Sequence, residues 1–303
     1  MMKNFLRLLD VSKDDIMDLL NLADQLKYEQ KHNIPHKKLD GKTLGMIFRK
    51  ESTRTRVSFE TGMYQLGGHA LFLSAKDLQL EKGELISDTA RTLSRYLDGM
   101  MMRTNEQKEL DLLAGYSRVP IINGMTDLCH PCQVLADLLT IREFKQQFEG
   151  LKICYVGDGR SVANSLIVGA LKVGMKVAVA CPEKYEPDIT VLDFAESCKD
   201  NFLLTKDPIK AADGADVIFT DIWYTSSADP DRELRRQIFR PYQVNDDLIA
   251  AANPGVTVQH CLPAHKGEEI TEKVFEAHAD EIFEETENRL HAQKAVMLRL
   301  MGD

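Results

Sequence analysis

The stretch LKICYVGDGRSVANSLIVGALKVGMKVAVACP, residues 151–182, decides the fold class of the chain. It begins with a short apolar run and passes through a glycine-containing turn. Apolar residues at helical spacing follow, and the stretch ends in a second short apolar run. Strand, helix and strand in this order form a crossover unit, which joins two parallel strands of one sheet. The stretch therefore predicts an α/β fold built on a parallel sheet.

Further short apolar runs extend this alternation on both sides, as KTLGMIF, HALFL, GMMM and VPIIN before it and ADVIFT and VTVQ after it. Helical spacing also marks PCQVLADLLTIREF between the two series and ENRLHAQKAVMLRLM at the end. We therefore predict two parallel-sheet α/β domains with an interdomain active-site cleft. The first domain covers residues 1–133 and is completed by a C-terminal helix, 286–303. The second covers residues 134–285.

Composition narrows the class of partner. The 303 residues are 44% apolar and carry a formal net charge of −9, which favours a globular protein and disfavours a nucleic-acid partner. Charges interrupt the apolar residues at the N-terminus, so no secretory signal is expected, and no apolar run has the length of a membrane span. The six cysteines are expected to be buried thiols of a cytoplasmic protein.

Polar residues follow five of the predicted strands. Parallel α/β sheets bind ligands beyond the carboxyl ends of their strands, so these residues are candidates for chemistry. They are Ser52 to Arg56 after KTLGMIF, Arg103 and Thr104 after GMMM, His130 to Gln133 after VPIIN, Asp221 after ADVIFT, and His260 and Cys261 after VTVQ.

The run STRTR, residues 52–56, places three hydroxyls and two guanidinium groups at a predicted helix start near Thr53. Backbone N–H groups and the helix dipole at such a start attract an anion, and an arginine completes a phosphate site. A helix cap with solvated arginines explains the same run. Arg103 at a second strand end favours the phosphate site, because two arginines then converge.

Two other motifs have alternative interpretations. His130 is a candidate hydrogen-bond donor to a carbonyl oxygen, although a single histidine is more often structural. Cys129 and Cys132 have the spacing of half a zinc site, but a second spaced pair of ligands is missing. The turn VGDGR, residues 156–160, suggests a dinucleotide site as an alternative. It lacks the third glycine and the downstream acidic residue of such a site, so this is the weaker hypothesis.

Five motifs, in their order along the chain, resemble the aspartate/ornithine carbamoyltransferase family: STRTR, MRT, HPCQ, HCLPA and ENRLHAQKA. The motif HCLP resembles the ornithine branch of this family. The resemblance implies a phosphate site for carbamoyl phosphate at Ser52, Thr53, Arg54 and Thr55. It implies that the carbamoyl group is held by Arg103, His130 and Gln133, and is closed over by Cys261, Leu262 and Arg289. Gln79 is implied to reach the phosphate in a neighbouring subunit, which predicts a homotrimer.

The implied reaction transfers the carbamoyl group of carbamoyl phosphate to the side-chain amine of L-ornithine, with no metal or organic cofactor. Arg54, Thr55, Arg103, His130 and Cys261 are the predicted catalytic residues. Asp221 and Cys261 are expected to orient the amine. Tetrahedral charge at the carbonyl oxygen is stabilised by the arginines and by the hydrogen-bond donors.

The chain departs from the family pattern in the predicted acceptor region. Arg160 and Ser161 replace paired asparagines, and Tyr224 to Ser227 replace a Ser-Met-Gly loop. Ser161, Thr225 and Ser226 are therefore the predicted acceptor-binding positions. Arg160 offers a second way to bind a carboxylate. We expect L-ornithine as acceptor, with another amine such as putrescine as the alternative and a non-catalytic anion-binding homologue as a further one.

Overall fold

Two parallel β-sheets organise the chain in a computed structural model that describes residues 2–224 and 230–302. The sheets belong to two units. Unit 1 comprises Met1–Leu139 and Asn288–Asp303, and unit 2 comprises Thr140–Glu287. Two parallel-sheet α/β units confirm the predicted fold class. In the described residues, no helix combines the length and apolar character needed to cross a membrane.

Unit 1 contains a four-stranded sheet of order β2-β1-β3-β4. Its strands are β1 Thr43–Phe48, β2 His69–Ser74, β3 Gly99–Arg103 and β4 Ile121–Met125. Its helices are α1 Lys13–Lys31, α2 Thr53–Gln65, α3 Ile86–Leu93 and α4 Gln107–Tyr116, with α5 Pro131–Lys145 continuing into unit 2. The central strands are almost wholly apolar and buried, as expected for a sheet covered on both faces.

Unit 2 contains a five-stranded parallel sheet of order β7-β6-β5-β8-β9. Its strands are β5 Lys152–Val156, β6 Lys176–Ala180, β7 Phe202–Thr205, β8 Val217–Thr220 and β9 Thr257–His260. Its helices are α6 Ser161–Lys172, α7 Ile189–Glu196, α8 Pro208–Ala212, α9 Arg232–Phe239, α10 Asp246–Ala251 and α11 Glu272–Ala277, while α12 Ala279–Met301 begins in unit 2 and ends in unit 1.

Strand register brings the predicted polar positions together within each sheet. Phe48 at the end of β1 pairs with Arg103, the last residue of β3. In unit 2, Thr220 at the end of β8 pairs with both Val156 and His260. The turns that follow these strands therefore leave from one edge of each sheet.

Two details of secondary structure differ from the sequence prediction. Apolar residues at helical spacing, Ile86, Ala90, Leu93 and Leu97, predict a helix that continues to Leu97, but α3 ends at Leu93. The Ser94 hydroxyl donates to the Ala90 carbonyl oxygen at 2.5 Å and accepts from the Arg118 amide at 3.1 Å, so it ties the helix end to another loop. Strand β7 is absent from the sequence prediction. Its residues FLLT are mostly apolar, but four residues are too few to show a period, and the strand lies partly exposed at the edge of the sheet.

Candidate active site

The predicted phosphate site lies at the start of α2. Ser52 caps this helix, and its hydroxyl accepts a hydrogen bond from the Thr55 amide at 3.3 Å. The helix begins at Thr53, as the sequence predicts, so the amide N–H groups of its first turn face away from the helix body. Arg54 in the same turn is half-buried, whereas Thr53 is exposed. This arrangement provides directed N–H donors and a cation at one helix end.

Helix α12 brings Arg289 to the same place. The Arg289 guanidinium donates from Nη2 to the Thr55 hydroxyl oxygen at 2.8 Å, and both side chains are buried. The two helices pack closely at Gly62, where a Cβ atom would lie 2.7 Å from the Met297 methyl carbon and 3.2 Å from Lys294 Cγ. Arg289 thus adds a second guanidinium to the first turn of α2.

His130 joins this group from the loop before α5. Burial lowers the pKa of His130 well below its ordinary value, and the positive charges of Arg289, Arg103 and Arg54 lower this pKa further. The three arginines therefore lie close enough to act on the imidazole, which is neutral at neutral pH. A neutral ring donates one hydrogen bond to a ligand without adding a charge. We call Arg54, Arg103, Arg289 and His130 the arginine cluster.

Gln133 lies one helical turn after His130, in α5. Its amide nitrogen donates to Asp137 Oδ1 at 2.8 Å, and both side chains are fully buried. Arg103 donates from Nη1 to the Gly124 carbonyl oxygen at 3.4 Å. These contacts fix two more of the side chains predicted to hold the carbamoyl group.

Gln79 is placed differently. It begins a short 3-10 helix, Gln79–Lys82, and its side chain is exposed. Within the described part of unit 1, no hydrogen bond or ion pair joins Gln79 to the arginine cluster. Arg49 anchors this segment through an ion pair with Glu81 at 2.7 Å.

Unit 2 contains the other predicted residues at the ends of β8 and β9. Asp221 Oδ1 accepts a hydrogen bond from the Cys261 thiol at 3.0 Å and another from the Ile222 amide at 2.7 Å. Asp221 is half-buried and Cys261 is buried. The half-buried carboxylate is oriented by its neighbours and suits an ammonium group.

A buried hydrogen-bond network shapes the turn after Cys261. Leu262 has a φ of 51°, and the Leu262–Pro263 peptide bond is cis. His260 Nδ1 accepts from the Leu262 amide at 2.9 Å, which places the ring proton on Nε2, where it donates to Glu269 at 3.2 Å. Since His260 and Glu269 are fully buried, they support the turn and do not contact solvent.

Two family models together match almost the whole chain. The model described as "Aspartate/ornithine carbamoyltransferase, carbamoyl-P binding domain" matches residues 3–143. The model described as "Aspartate/ornithine carbamoyltransferase, Asp/Orn binding domain" matches residues 149–300. The chain belongs to the aspartate/ornithine carbamoyltransferase family. This membership confirms the resemblance carried by its strand-end motifs.

Individual members of this family are similar over their full length. The ornithine carbamoyltransferase of Thermococcus kodakarensis is 50% identical over 304 residues, which cover 99% of this chain and 96% of that protein. The anabolic ornithine carbamoyltransferase of Pyrococcus furiosus is also 50% identical, with the same coverage. A solved structure of ornithine carbamoyltransferase from Pyrococcus furiosus has a TM-score of 0.94 at 49% identity and covers 99% of this chain and 97% of that chain.

The structure describes some of the positions at which this chain departs from the family pattern and leaves others undescribed. Ser161 is the first residue of α6 and is buried. Tyr224 is buried as well, and its ring stacks on His265 with centroids 4.8 Å apart. Thr225 and Ser226 lie outside the described residues, so their predicted contact with the acceptor stays a prediction.

Sequence reasoning missed two charged residues in unit 2. Asp158 lies in the turn after β5 and forms ion pairs with Arg160, at 2.6 Å, and with Arg235 of α9. The strand-end rule applied to the other strands would also have selected Asp158. Arg235 is one of four arginines in residues 232–240, and nothing in the sequence distinguishes it from the others.

The glycine turn after β5 has a structural explanation. A Cβ atom at Gly159 would lie 2.5 Å from the backbone atoms Glu186 C and Pro187 N. Glycine is therefore required because another loop packs directly on the turn. This contact accounts for Gly159 without a dinucleotide.

The cysteines do not form a recognisable metal site. No group of three or more histidine, cysteine or acidic side chains is suited to hold a metal ion within residues 2–224 and 230–302. Burial raises the pKa of Cys132 to about 12, so its thiol is protonated at neutral pH. Cys198 is half-buried, contrary to the expectation of burial, whereas the other five cysteines are buried.

The neutral state of His130 predicts a pH-dependent stability. Its pKa in the folded protein lies below its unfolded value of about 6.5, so the unfolded chain binds more protons between these two values. The free energy of unfolding should therefore fall as the pH drops below about 6.5, by at most about 1.4 kcal/mol per pH unit from this one group.

Urea unfolding between pH 7.5 and pH 5 measures this effect. We expect His130→Gln to show a shallower fall in unfolding free energy than the wild type. His69→Gln, which removes an exposed imidazole from the same unit, is the matched control and should retain the wild-type slope. Equal slopes for the wild type and His130→Gln would contradict the neutral buried state.

Proposed function

We propose that the protein transfers the carbamoyl group of carbamoyl phosphate to the side-chain amine of L-ornithine, giving citrulline and phosphate. The observation that carries the proposal is the arginine cluster, in which Arg289 donates to Thr55 in the first turn of α2 and the charges of three arginines act on buried His130. Such a group matches a ligand that combines a phosphate dianion with a polar carbonyl. Full-length similarity to proteins named ornithine carbamoyltransferase supports L-ornithine as the acceptor.

The donor is activated by charge and hydrogen bonding. Ser52, Thr53 and Arg54, with the amides of the first turn of α2, bind the phosphate group. Arg103, His130 and the Thr55 hydroxyl act on the carbonyl oxygen, where negative charge develops as the amine attacks. Gln133, held by Asp137, binds the carbamoyl amide.

The reaction is one acyl transfer. The neutral amine nitrogen of the acceptor forms a bond to the carbonyl carbon, and the bond from this carbon to the phosphate oxygen breaks. The phosphate leaves with the bonding electron pair and takes up the proton that the amine nitrogen loses, so it departs as the dianion. Arg54 and Arg289 stabilise the departing dianion. The acceptor amine must be unprotonated to attack, so the rate should rise with pH towards the pKa of that amine.

The acceptor is assigned to unit 2. Asp221, oriented by Cys261, binds the ammonium group of the acceptor, with Leu262 beside it and with Ser161, Thr225 and Ser226 as further contacts. In this proposal, residues 1–133 with 286–303 bind carbamoyl phosphate, and residues 134–285 bind the amine. Putrescine is the alternative acceptor, because the departures from the family pattern all fall in the acceptor-binding part.

We further propose a homotrimer in which Gln79 reaches the phosphate site of a neighbouring subunit. Gln79 is exposed, and the nearby edge strand β2 exposes Leu71 and Phe72 to 39% and 38%. Val57 in α2 is 54% exposed. Exposed apolar side chains on an unpaired strand edge favour burial against another copy. The free thiols of all six cysteines agree with a cytoplasmic location.

An assay for ureido products tests the proposed activity. Purified protein is incubated with carbamoyl phosphate and one amine in each reaction. The amine is L-ornithine, putrescine or L-lysine. Citrulline formation, with one phosphate released per citrulline, is the expected result. If putrescine is the one amine that gives a product, putrescine and not L-ornithine is the acceptor. No product from any amine, together with phosphate-induced stabilisation, would instead support a non-catalytic anion-binding homologue.

A further inference from the structure

The turn after β5 contains more positive charge than its own carboxylate requires. Asp158 is 4% exposed and forms ion pairs with two arginines, Arg160 and Arg235, through the same oxygen, Oδ2. One guanidinium is sufficient to neutralise one carboxylate. A second cation in this position therefore has charge that is available to another anion.

Arg235 is the structural member of this pair. Its side chain is 13% exposed, and it donates to the Trp223 carbonyl oxygen as well as to Asp158. Its guanidinium carbon also lies 5.0 Å from the ring centroids of Tyr185 and Phe239. These contacts on several sides fix Arg235 as the counter-ion of Asp158.

Arg160 is used only in part. Its Nε contacts Asp158 at 2.6 Å, and its side chain is 44% exposed. Within residues 2–224 and 230–302, Asp158 is the one acidic residue with which Arg160 forms an ion pair, and the contact is made at Nε. A guanidinium held at Nε presents its Nη atoms in a fixed direction, which suits a carboxylate ligand.

Asp221 lies close to this group. Its negative charge acts on both Asp158 and Tyr155, and the Tyr155 hydroxyl donates to the Asp158 carbonyl oxygen at 2.8 Å. The pairing of β5 with β8 explains this proximity, because both residues follow neighbouring strand ends. A partly exposed cation and a carboxylate thus lie at one edge of the same sheet.

We propose that Arg160 selects the acceptor by binding the carboxylate of an α-amino acid whose ammonium group is bound by Asp221. This inference rests on the proposed function and identifies the residue that separates an amino-acid acceptor from the corresponding diamine. Putrescine has the same chain of carbon atoms between its nitrogens as L-ornithine but lacks the carboxylate. It therefore gains nothing from Arg160.

Steady-state kinetics with L-ornithine and putrescine test the proposal in the wild type, Arg160→Gln and Arg160→Lys. We expect Arg160→Gln to lower kcat/KM for L-ornithine by about 10- to 100-fold, mainly through KM, and to leave putrescine unchanged within about twofold. Arg160→Lys should restore part of the loss. Lys176→Gln, which removes an exposed cation from the opposite edge of the sheet, should match the wild type.

Two results would overturn the role of Arg160. One is an equal fall in kcat/KM for both amines, which indicates a purely structural ion pair with Asp158. The other is no change for either amine. If the wild type turns over neither amine, the proposed function fails, and calorimetric binding of L-ornithine and putrescine in inorganic phosphate then judges Arg160 separately. Equal affinity ratios in the wild type and Arg160→Gln would reject its selective role.

Discussion

Arg54→Gln should lower kcat/KM for carbamoyl phosphate by about 10²- to 10³-fold while leaving the fold intact. Arg54 lies in the first turn of α2, where its charge adds to the helix dipole and acts on His130. In the proposed mechanism, the variant loses a cation that contacts the phosphate most strongly as this group departs, and loss of one such donor typically has this magnitude. Initial rates at varied carbamoyl phosphate and saturating L-ornithine measure the effect.

Two readouts separate this effect from a loss of structure. Because the positive charge of Arg54 lowers the pKa of His130, its removal should raise this pKa, which NMR titration of the imidazole can follow. Removing one of three neighbouring cations also relieves repulsion, so the unliganded variant should unfold at the wild-type temperature or above it. Inorganic phosphate should then stabilise the variant less than the wild type.

Arg91→Gln is the matched control for Arg54→Gln. Arg91 lies in α3 of the same unit, is exposed and pairs with Asp88 at 3.2 Å. Its replacement removes the same charge from unit 1 without touching the arginine cluster. Wild-type activity in Arg54→Gln, or equal losses in the two variants, would refute the assignment of the phosphate site.

The arginine cluster shows how far sequence reasoning reaches in this protein. Arg54, Arg103 and His130 each follow a predicted strand, and parallel register brings strand ends to one edge of the sheet. A strand pattern alone was therefore sufficient to select them. Arg289 lies inside the 23-residue helix α12, and its partner Thr55 is 234 positions away in the sequence. Helical periodicity contains no signal for such a contact, so resemblance to the family was needed to identify it.

Arg235 is a residue whose partner, Asp158, cannot be identified from the sequence. It is separated from Asp158 by 77 positions and lies on a helix with several arginines. Its neighbours Arg232 and Arg236 pair instead with Glu268 at 3.7 and 3.4 Å. Which arginine reaches the buried carboxylate depends on where α9 lies relative to the turns after β5 and β8, which contain Asp158 and Trp223. Packing of this kind is decided by tertiary structure and is not encoded in a local pattern.

The length of elements was also limited by tertiary contacts. Apolar spacing predicts α3 up to Leu97, and Leu97 is indeed buried at 7% exposure. The helix nevertheless ends four residues earlier, where the Arg95 and Tyr96 amides donate to the Thr92 and Leu93 carbonyl oxygens and the Ser94 hydroxyl accepts from the Arg118 amide. A buried position was predicted correctly while its secondary structure was not.

Asp221→Asn should lower kcat/KM for L-ornithine by about 100-fold. The carboxylate is expected to bind the ammonium group of the acceptor, and a charge-assisted hydrogen bond of this kind contributes a factor of this order. Asparagine keeps an oxygen that can accept from the Ile222 amide and the Cys261 thiol, so the local structure should persist. Kinetics at varied L-ornithine and saturating carbamoyl phosphate measure the loss.

The same variant should keep its response to the donor. The arginine cluster lies in unit 1 and Asp221 in unit 2, so inorganic phosphate should raise the unfolding temperature of Asp221→Asn as much as that of the wild type. Asp213→Asn, which alters an exposed carboxylate of unit 2 at the end of α8, is the matched control and should retain wild-type kinetics. An unchanged KM and kcat for L-ornithine in Asp221→Asn would remove Asp221 from the acceptor site, and the selective role of Arg160 would then lose the carboxylate that positions its ligand.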